Sequence, residues 1–400
     1  MKRSGSADLP LHGGKVPYWL SKRMAELGGA ITESIVQEYG RSAFLSRLSD
    51  PFWFQSFGAV LGMDWHSSGI TTSVMSALKK SINPKASALG IYICGGRGKS
   101  SLNTPNELLH IADKTGIDGH TMVRNSKLSA KVDNTAVQDG YQLYLHSFVV
   151  TTDGDWAVVQ QGMNNSNGMA RRYHWHSAHI KSFCLEPHTG VCGRNKGQIL
   201  NLTAREAEGA KNGILQIAKA PSEPMLKDIR KLTMPRHHEV KAYNIDMKRL
   251  GSVLATANNA DITSFDDLLL IQGLGPRTLQ SLTLVSEVIH GTPSRFSDPA
   301  RYSFAHGGKD GHPFPVPTKV YDQTINILKT SVEKAKIGHT DKQAALKSLH
   351  SISLDIEKNF VPSPSKFDEI LNQERQNSHK FGGRTVFGFA QPQRGQLNLF

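Results

Sequence analysis

Hydrophobic and polar positions change their spacing along the chain, and these changes predict several kinds of element. Apolar residues recur at helical spacing over residues 18–39 and 70–82, and a short apolar run over 89–94 predicts a strand. Two β-rich runs between Tyr141 and Gln161 flank the sequence TTDGD, which predicts a β-hairpin because an Asp-Gly pair suits a tight turn. Helical spacing returns after residue 203. The pattern predicts a fold of the α/β (α+β) class, with a central mixed β-core.

The segment SFDDLLLIQGLGPRTLQSLTLVSEVIHG, residues 264–291, predicts two short helices around a tight turn. Ser264 is a good N-cap for the first helix, and Pro276 suits the first position of the second. Gly273 and Gly275 let the turn approach another backbone closely. Amides at the start of the second helix then point outward, where the helix dipole favours an anion.

This pattern resembles the helix-hairpin-helix motif of many DNA repair proteins, which binds a DNA phosphate without reading the sequence. The resemblance implies that the backbone of Gly273, Leu274 and Gly275 contacts the phosphate. It also implies that Arg277 and Thr278 support those contacts. The alternative is an ordinary pair of helices with a glycine turn. In either case the motif indicates binding and not a reaction.

Composition supports a polyanionic partner. The 400 residues contain 47 Lys and Arg against 34 Asp and Glu, a formal net charge of +13. Such a surplus favours nucleic acid, because cations that neutralise phosphates release condensed counterions. Three cysteines suit a reducing compartment rather than a disulfide framework, and the N-terminus lacks a signal-peptide pattern. No apolar run is long enough to span a membrane. We therefore expect a cytoplasmic, DNA-binding protein with no membrane partner.

The last five residues form a second binding signal. They resemble the pentapeptide with which bacterial proteins bind the sliding clamp, the beta subunit of the replicative polymerase; the residues that match are Gln396, Leu397, Leu399 and Phe400. Leucine and phenylalanine anchors on an extended tail fill a preformed apolar pocket, and glutamine bonds at its rim. The resemblance implies a bacterial protein that works at replicating or repaired DNA. A frayed terminus is the alternative.

Phosphodiester cleavage is the leading chemistry, with two mechanisms open. The order of His146, Asp153, Gly162 and Asn164 is similar to the phospholipase D nuclease motif, which attacks through a strand histidine. Phe148 stands where that motif has its phosphate-binding lysine, so Lys131 would have to replace it in space. A weaker match places His179, Lys181 and Glu186 at the same spacing, without a clear hairpin.

The second mechanism uses a divalent metal ion, Mg²⁺ or Mn²⁺. Asp133 and Asp139, with Lys131 and Gln160 nearby, provide the carboxylate and amide oxygens that such ions prefer. Loop aspartates that merely form turns are the alternative. Under either mechanism we expect His146, Lys131, Asp133, Gln160 and Asn164 near the reacting phosphate.

A third reading follows from the helix-hairpin-helix. DNA glycosylases built on this motif carry a catalytic aspartate about twenty positions later, where this chain has Asp298. A non-enzymatic, structure-specific DNA-binding adaptor is the alternative from a different class. The basic run ARRYHWHSAHIK adds Arg171 and Arg172 as expected DNA contacts, with Tyr173 and Trp175 interleaved. The loop GGRGKS at residues 95–100 ends like a Walker A loop but has Ile93 where that motif requires its first glycine.

Several longer stretches resemble one uncharacterised prokaryotic family, known as domain of unknown function 763. They include ADLPLHGGKVPYWL at 7–20, CGGRGKSSLNTP at 94–105, QDGYQLYLHSF at 138–148 and FAHGGKDGHPFPVP at 304–317. The family name implies no reaction. We expect a mixed α/β catalytic domain over 1–202, an α-helical domain over 203–360 and a flexible tail over 361–400. The expected function is a DNA-processing nuclease recruited by the clamp.

Overall fold

The computed structural model describes residues 9–10, 16–63, 68–166, 168–222, 224, 226, 247–260, 262–300, 318–359, 376, 384–385 and 388–389. Its strands, numbered in chain order, are β1 Leu9–Pro10, β2 Ile91–Arg97, β3 Val137–Gln138, β4 Gln142–Thr151, β5 Trp156–Asn164, β6 Met169–His176, β7 His188–Cys192, β8 Gln198–Asn201, β9 Phe296–Ser297, β10 Arg384–Thr385 and β11 Gly388–Phe389. The predicted clamp peptide and the 304–317 stretch lie outside the described residues, as does nearly all of the predicted flexible tail.

The α-helices of the described residues, also in chain order, are α1 Tyr18–Tyr39, α2 Arg41–Leu48, α3 Pro51–Val60, α4 Gly69–Ile82, α5 Ala86–Leu89, α6 Lys99–Leu102, α7 Thr104–Thr115, α8 Gly119–Lys131, α9 Glu208–Lys219, α10 Met247–Asn259, α11 Phe265–Leu270, α12 Pro276–His290, α13 Thr318–Lys334 and α14 His339–Asn359. A π-helical turn over Val132–Ala136 continues α8. None of the described helices is long and apolar enough to cross a lipid bilayer.

The main sheet has the strand order β1-β6-β5-β4-β2, and β7 also pairs with β6. Every described pairing in it is antiparallel, and β4 and β5 form the predicted hairpin around the TTDGD turn. The register places His146 on β4 between Gly96 on β2 and Gln160 on β5. The α+β class and the central β-core are therefore confirmed.

The two faces of the sheet carry separate hydrophobic cores, because successive side chains of a strand point to opposite faces. Val149 and Val159 face a core that includes α1 to α4, α13 and α14. Phe148 and Val158 face the other core, to which helices α7 to α12 contribute. The central strands are consequently buried on both sides and read as nearly continuous apolar runs.

A small sheet of order β3-β8-β9 lies beside the main one and connects distant parts of the chain. Ile199 pairs with Phe296, which brings residues just after the helix α12 against the sequence that follows the main sheet. Helices after residue 203 thus share cores with both faces of the sheet. The domain boundaries at 202 and 360 stay a prediction.

Candidate active site and nucleic-acid interface

Helix α8 and its π-helical extension place polar side chains against the strands β4 and β5. Ser126, Ser129 and Asp133 follow one another at helical spacing and are all buried. Asp118 caps the start of the helix by accepting a hydrogen bond from the Thr121 N–H at 3.0 Å. The π-helical turn at the other end changes the helical register just where Asp133 occurs, and such turns are frequent at functional sites.

The buried side chains form one hydrogen-bonded chain. Gln160 Nε2 donates to Asp133 Oδ2 at 2.6 Å and to the Ser129 carbonyl at 3.2 Å, which leaves Gln160 Oε1 as an acceptor. His146 Nδ1 lies 2.8 Å from that oxygen, so the hydrogen of the imidazole is on Nδ1. Nε2 is therefore unprotonated and accepts from the Ser126 hydroxyl at 2.8 Å. Burial lowers the pKa of His146 to about 4, although the Gln160 bond opposes this shift.

Asp133 is the far end of this chain. Trp175 Nε1 donates to its Oδ2 at 2.9 Å, and His188 Nε2 donates to its Oδ1 at 2.5 Å. Burial raises the pKa of Asp133, while the charge and hydrogen bond of His188 act in the opposite direction. Both carboxylate oxygens thus have protein donors, and we call Ser126, His146, Gln160, Asp133, Trp175 and His188 the His146 cluster.

The structure brings together only three of the five predicted catalytic residues: His146, Gln160 and Asp133. Lys131 lies on the opposite side of α8, where its Nζ donates to the Leu274 carbonyl at 2.6 Å. It therefore does not replace the missing motif lysine beside His146, and Phe148 is part of the hydrophobic core. Asn164 lies four residues from Gln160 along β5, roughly 13 Å at strand spacing, and its Oδ1 accepts from the Ser166 N–H.

The other elements of the phospholipase-like pattern are also separated from His146. Asp153 lies in the exposed turn between β4 and β5 and pairs with Arg41 at 2.8 Å. In the weaker match, His179 is exposed at the end of a 3₁₀ turn and is not on a strand. Neither arrangement reproduces a strand histidine with an aspartate and a lysine around one phosphate.

The predicted metal-binding carboxylates are engaged by protein groups. Arg171 Nη1 donates to Asp139 Oδ2 at 3.0 Å, and Tyr173 donates to the same oxygen at 2.6 Å. Asp133 is engaged within the His146 cluster, as described above. Among the residues that the structure describes, no group of three or more His, Cys, Asp or Glu side chains is arranged to hold a metal ion.

The predicted DNA contacts Arg171 and Arg172 are wrong in their placement, because both side chains are fully buried. Arg171 bridges Asp139 and Asp298, and its two nitrogens reach both Asp298 oxygens at 2.9 Å. Arg172 Nη2 donates to Gln55 Oε1 at 2.9 Å on the other face of the sheet. Tyr173 and Trp175, expected between them on the surface, are also buried.

Asp298, the catalytic residue of the glycosylase hypothesis, is likewise buried and bonded to protein groups. Asp298 accepts from Arg171, from the Lys196 N–H and from the Ala300 N–H, and it is buried. Through these bonds Asp298 connects the segment after α12 to Arg171 of the main sheet.

The predicted pair of helices at 264–291 is present as α11 and α12, joined by a turn over residues 271–275. Ser264 and Asp267 form a reciprocal capping box at the start of α11. Gly273 has a φ of +86°, a backbone conformation that favours glycine. The turn is exposed at Gln272 and Gly273, while the Leu274 side chain is buried beneath it.

The turn presents backbone donors at the start of α12. Gly275 precedes the helix and has no side-chain cap, and the Leu279 N–H makes the first helical bond, to the Gly275 carbonyl at 3.0 Å. Within the described part of the chain, no acceptor bonds the N–H groups of Gly275, Arg277 and Thr278. Arg277 is exposed, whereas Thr278 is buried.

Three contacts fix the helical pair and its turn against α8 and β3. Arg124 Nη2 pairs with Asp267 at 2.6 Å, Lys131 reaches the Leu274 carbonyl, and Gln138 Nε2 donates to the Pro276 carbonyl at 2.8 Å. Arg249 on α10 approaches the Gly273 carbonyl at 3.4 Å. Burial lowers the pKa of Lys131, and the positive charge of Arg249 lowers it further. Cations therefore crowd around the exposed turn.

The glycine-rich end of β2 lies against the backbone of His146. Gly96 pairs with His146, and the exposed residues Arg97 and Lys99 come directly after it. A Cβ on Gly95 would lie 2.3 Å from the His146 carbonyl oxygen, so this position requires glycine. Arg97 pairs with Leu145 and its guanidinium lies over the Tyr144 ring, so its charge is on the face of the sheet opposite His146. The segment also lacks the first glycine of a Walker A loop.

Sequence reasoning missed Ser126, Trp175 and His188 as members of the cluster. Helical spacing could have identified Ser126, because it lies seven residues before Asp133 and so on the same face of the helix. His188 lies 55 residues from Asp133 and carries no local signal that connects the two.

Comparison with known proteins gives a family and no assigned reaction. No curated protein and no solved structure matches the chain. Residues 5–316 match the family described as "protein of unknown function (DUF763)". That span is more than half of the chain and includes the main sheet, the His146 cluster and the turn at 271–275. The protein is therefore a member of the DUF763 family.

Proposed function

We propose that the protein binds the sugar-phosphate backbone of DNA through the turn at 271–275. The observation that carries the proposal is the exposed turn itself, with N–H groups at the start of α12 that have no acceptor among the described residues. Such donors, aligned with the helix dipole, favour a phosphate oxygen. Backbone amides contact phosphates and not bases, so the binding is independent of sequence.

The charges around the turn support this proposal. Arg277 and Arg249 are exposed beside it, and Lys131 Nζ donates to the Leu274 carbonyl within it. A phosphate at the turn would relieve the repulsion between Lys131 and Arg249 that lowers the lysine pKa.

Fluorescence anisotropy with duplexes and single strands of unrelated sequence tests the proposal. We expect binding at low salt that weakens steeply as salt rises, and a similar affinity for each sequence. Arg277→Ala should weaken binding several-fold. Arg295→Ala is the matched control, because Arg295 is also exposed but follows the far end of α12. If the unaltered chain ignores DNA at low salt, the proposal fails.

A second candidate function is phosphodiester cleavage at the His146 cluster. The observation that favours it is the neutral imidazole, whose Nδ1–H is held by Gln160 and whose Nε2 accepts from Ser126. An imidazole oriented in this way is suited to act as a base or a nucleophile.

Nuclease assays on single-stranded, flapped and mismatched DNA, with and without EDTA, test this candidate. Cleavage that persists in EDTA and disappears in His146→Gln supports histidine chemistry, while loss in EDTA supports a metal ion. Base release without strand cutting would support a glycosylase instead. Tight binding of structured DNA with no reaction would identify a binding adaptor and would remove the cleavage proposal.

We also propose recruitment by the bacterial sliding clamp through Gln396, Leu397, Leu399 and Phe400, in the bacterial cytoplasm. These residues lie outside those that the structure describes, so the proposal depends on their sequence alone. Deletion of 396–400 should abolish capture of the chain by immobilised clamp, while replacement of Asn398 by serine should not. Capture that survives the deletion would remove this partner.

A further inference from the structure

Helix α8 has two opposite polar faces. One face carries Ser126, Ser129 and, past the helix end, Asp133, and it is buried against the main sheet. At 3.6 residues per turn, the basic residues of the helix fall within about 60° of one another on the other side. These residues are His120, Arg124, Lys127 and Lys131.

This basic face leads directly to the turn at 271–275. Two of its residues already contact the helical pair: Arg124 pairs with Asp267, and Lys131 donates to the Leu274 carbonyl. Lys127 lies one helical turn from each of them and is exposed. Among the described residues, no acceptor or carboxylate pairs with its ammonium group.

Two carboxylates of this region already have other partners. Asp267 is occupied by Arg124 and by the Ser264 hydroxyl at 2.8 Å. Burial by itself raises the pKa of Asp267, but hydrogen bonds from Ser264 and Arg124 lower it further than burial raises it. Asp267 therefore stays ionised with its partners. Asp118 caps the helix start through Thr121. Lys127 thus keeps its positive charge available.

We propose that the basic face of α8, centred on Lys127, is a second phosphate-binding site for the same DNA strand that the turn holds. This inference rests on the proposed DNA binding and extends it to a defined path. The face spans about 10 Å from Arg124 to Lys131 at 1.5 Å per helical residue. One strand of a duplex advances about 3.4 Å per nucleotide, so the face covers roughly three nucleotides beyond the turn.

The salt dependence of DNA binding tests the inference in the full chain. A duplex labelled with fluorescein is titrated by anisotropy at several salt concentrations, with the unaltered chain, Lys127→Ala and Lys127→Glu. Each phosphate neutralised by a cation contributes about 0.9 to the slope of log K against log salt. We expect Lys127→Ala to reduce the slope by about that amount and to weaken low-salt binding several-fold. The glutamate variant should bind more weakly still.

Lys80→Ala is the matched control, because Lys80 is an exposed lysine on α4, against the opposite face of the sheet. It should leave both slope and affinity unchanged. If Lys127→Ala binds with the slope and affinity of the unaltered chain while Arg277→Ala weakens binding, the inference is overturned and the proposed function stands. If the unaltered chain does not bind DNA, both are overturned.

Discussion

Replacement of Gly275 by alanine should weaken DNA binding at the turn while changing the stability of the fold little. Gly275 has a φ of −124°, which any residue adopts. An added Cβ would approach only Arg249, whose Nη2 is 3.7 Å away, an ordinary van der Waals distance. Alanine is a somewhat poorer N-cap than glycine but restricts the unfolded chain. We expect the free energy of unfolding to change by less than about 1 kcal/mol.

The same methyl group should damage binding far more than stability. It lies on the surface that a phosphate must approach to reach the free N–H groups of the turn. A hydrogen bond to a charged group contributes about 1.5–3 kcal/mol. Loss of one such bond therefore weakens binding by roughly tenfold to a hundredfold, since about 1.4 kcal/mol corresponds to a factor of ten.

Gly273→Ala provides the contrast. Its φ of +86° lies where an L side chain is strained, at a cost of about 1–2 kcal/mol, although the nearest side-chain atom, Val253 Cγ2, leaves room at 3.6 Å. This variant should lose stability as well as affinity. Gly209→Ala in α9 is the control for glycine replacement, because that position is exposed and its nearest neighbour is 3.8 Å away.

Urea denaturation and anisotropy with one duplex measure both quantities for the three variants. The expected result is a stable Gly275→Ala that binds poorly, a weakened Gly273→Ala that binds poorly, and a Gly209→Ala that binds like the unaltered chain. If Gly275→Ala binds DNA with undiminished affinity, the turn does not hold the phosphate and the reasoning is refuted.

Three further predictions concern the stability of the fold, each measured by urea denaturation. Burial lowers the pKa of His146 in the folded chain to about 4 from its ordinary value of 6.5, so the unfolded chain takes up the proton first as pH falls. The stability that the neutral imidazole contributes is full above pH 6.5, and about 3 kcal/mol of it is lost as pH falls to 4. His146→Gln should remove that part of the pH dependence, and an unchanged profile would contradict the buried neutral imidazole. Arg171→Met leaves Asp139 and Asp298 buried without their cation, so the free energy of unfolding should fall by about 3–5 kcal/mol. Arg205 is exposed, and Arg205→Met should lower it little. Equal stabilities of the two variants would exclude the buried bridge. Ser264→Ala removes the capping box of α11 and should cost about 1 kcal/mol, a loss that the exposed Ser252→Ala should not show.

Local signals in the sequence predicted the elements that depend on neighbouring residues. Helix α1 over Tyr18–Tyr39, the β4–β5 hairpin and the Ser264 cap are all confirmed. Each depends on contacts within a few positions, such as helical spacing, an Asp-Gly turn or a capping serine. The fold class followed from these elements in the same way.

Contacts between distant residues limited the prediction of the site. The basic run with interleaved aromatic residues predicts a DNA-facing surface for Arg171 and Arg172, yet both side chains are buried. The partners of Arg171 are 32 and 127 residues away, and nothing local announces them. Lys131 and Asp133 are two residues apart, yet they lie on opposite sides of α8. Predicting their different surroundings would have required knowing which face of α8 packs on the sheet.

This arrangement constrains where cleavage at His146 would occur. The turn that is proposed to hold a phosphate and the His146 cluster lie on opposite sides of α8, and a helix with its side chains is about 10–12 Å across. At an axial rise of about 3.4 Å per nucleotide, the cut bond would lie roughly three nucleotides along the duplex axis from the phosphate held by the turn. On an end-labelled flapped duplex, whose junction fixes the position of the bound chain, ethylation of individual phosphates should block Gly275-dependent binding at one position, and the cut should map a few nucleotides away. A cut at the blocked phosphate itself would show that His146 is not the catalytic group, because no single phosphate reaches both sides of the helix.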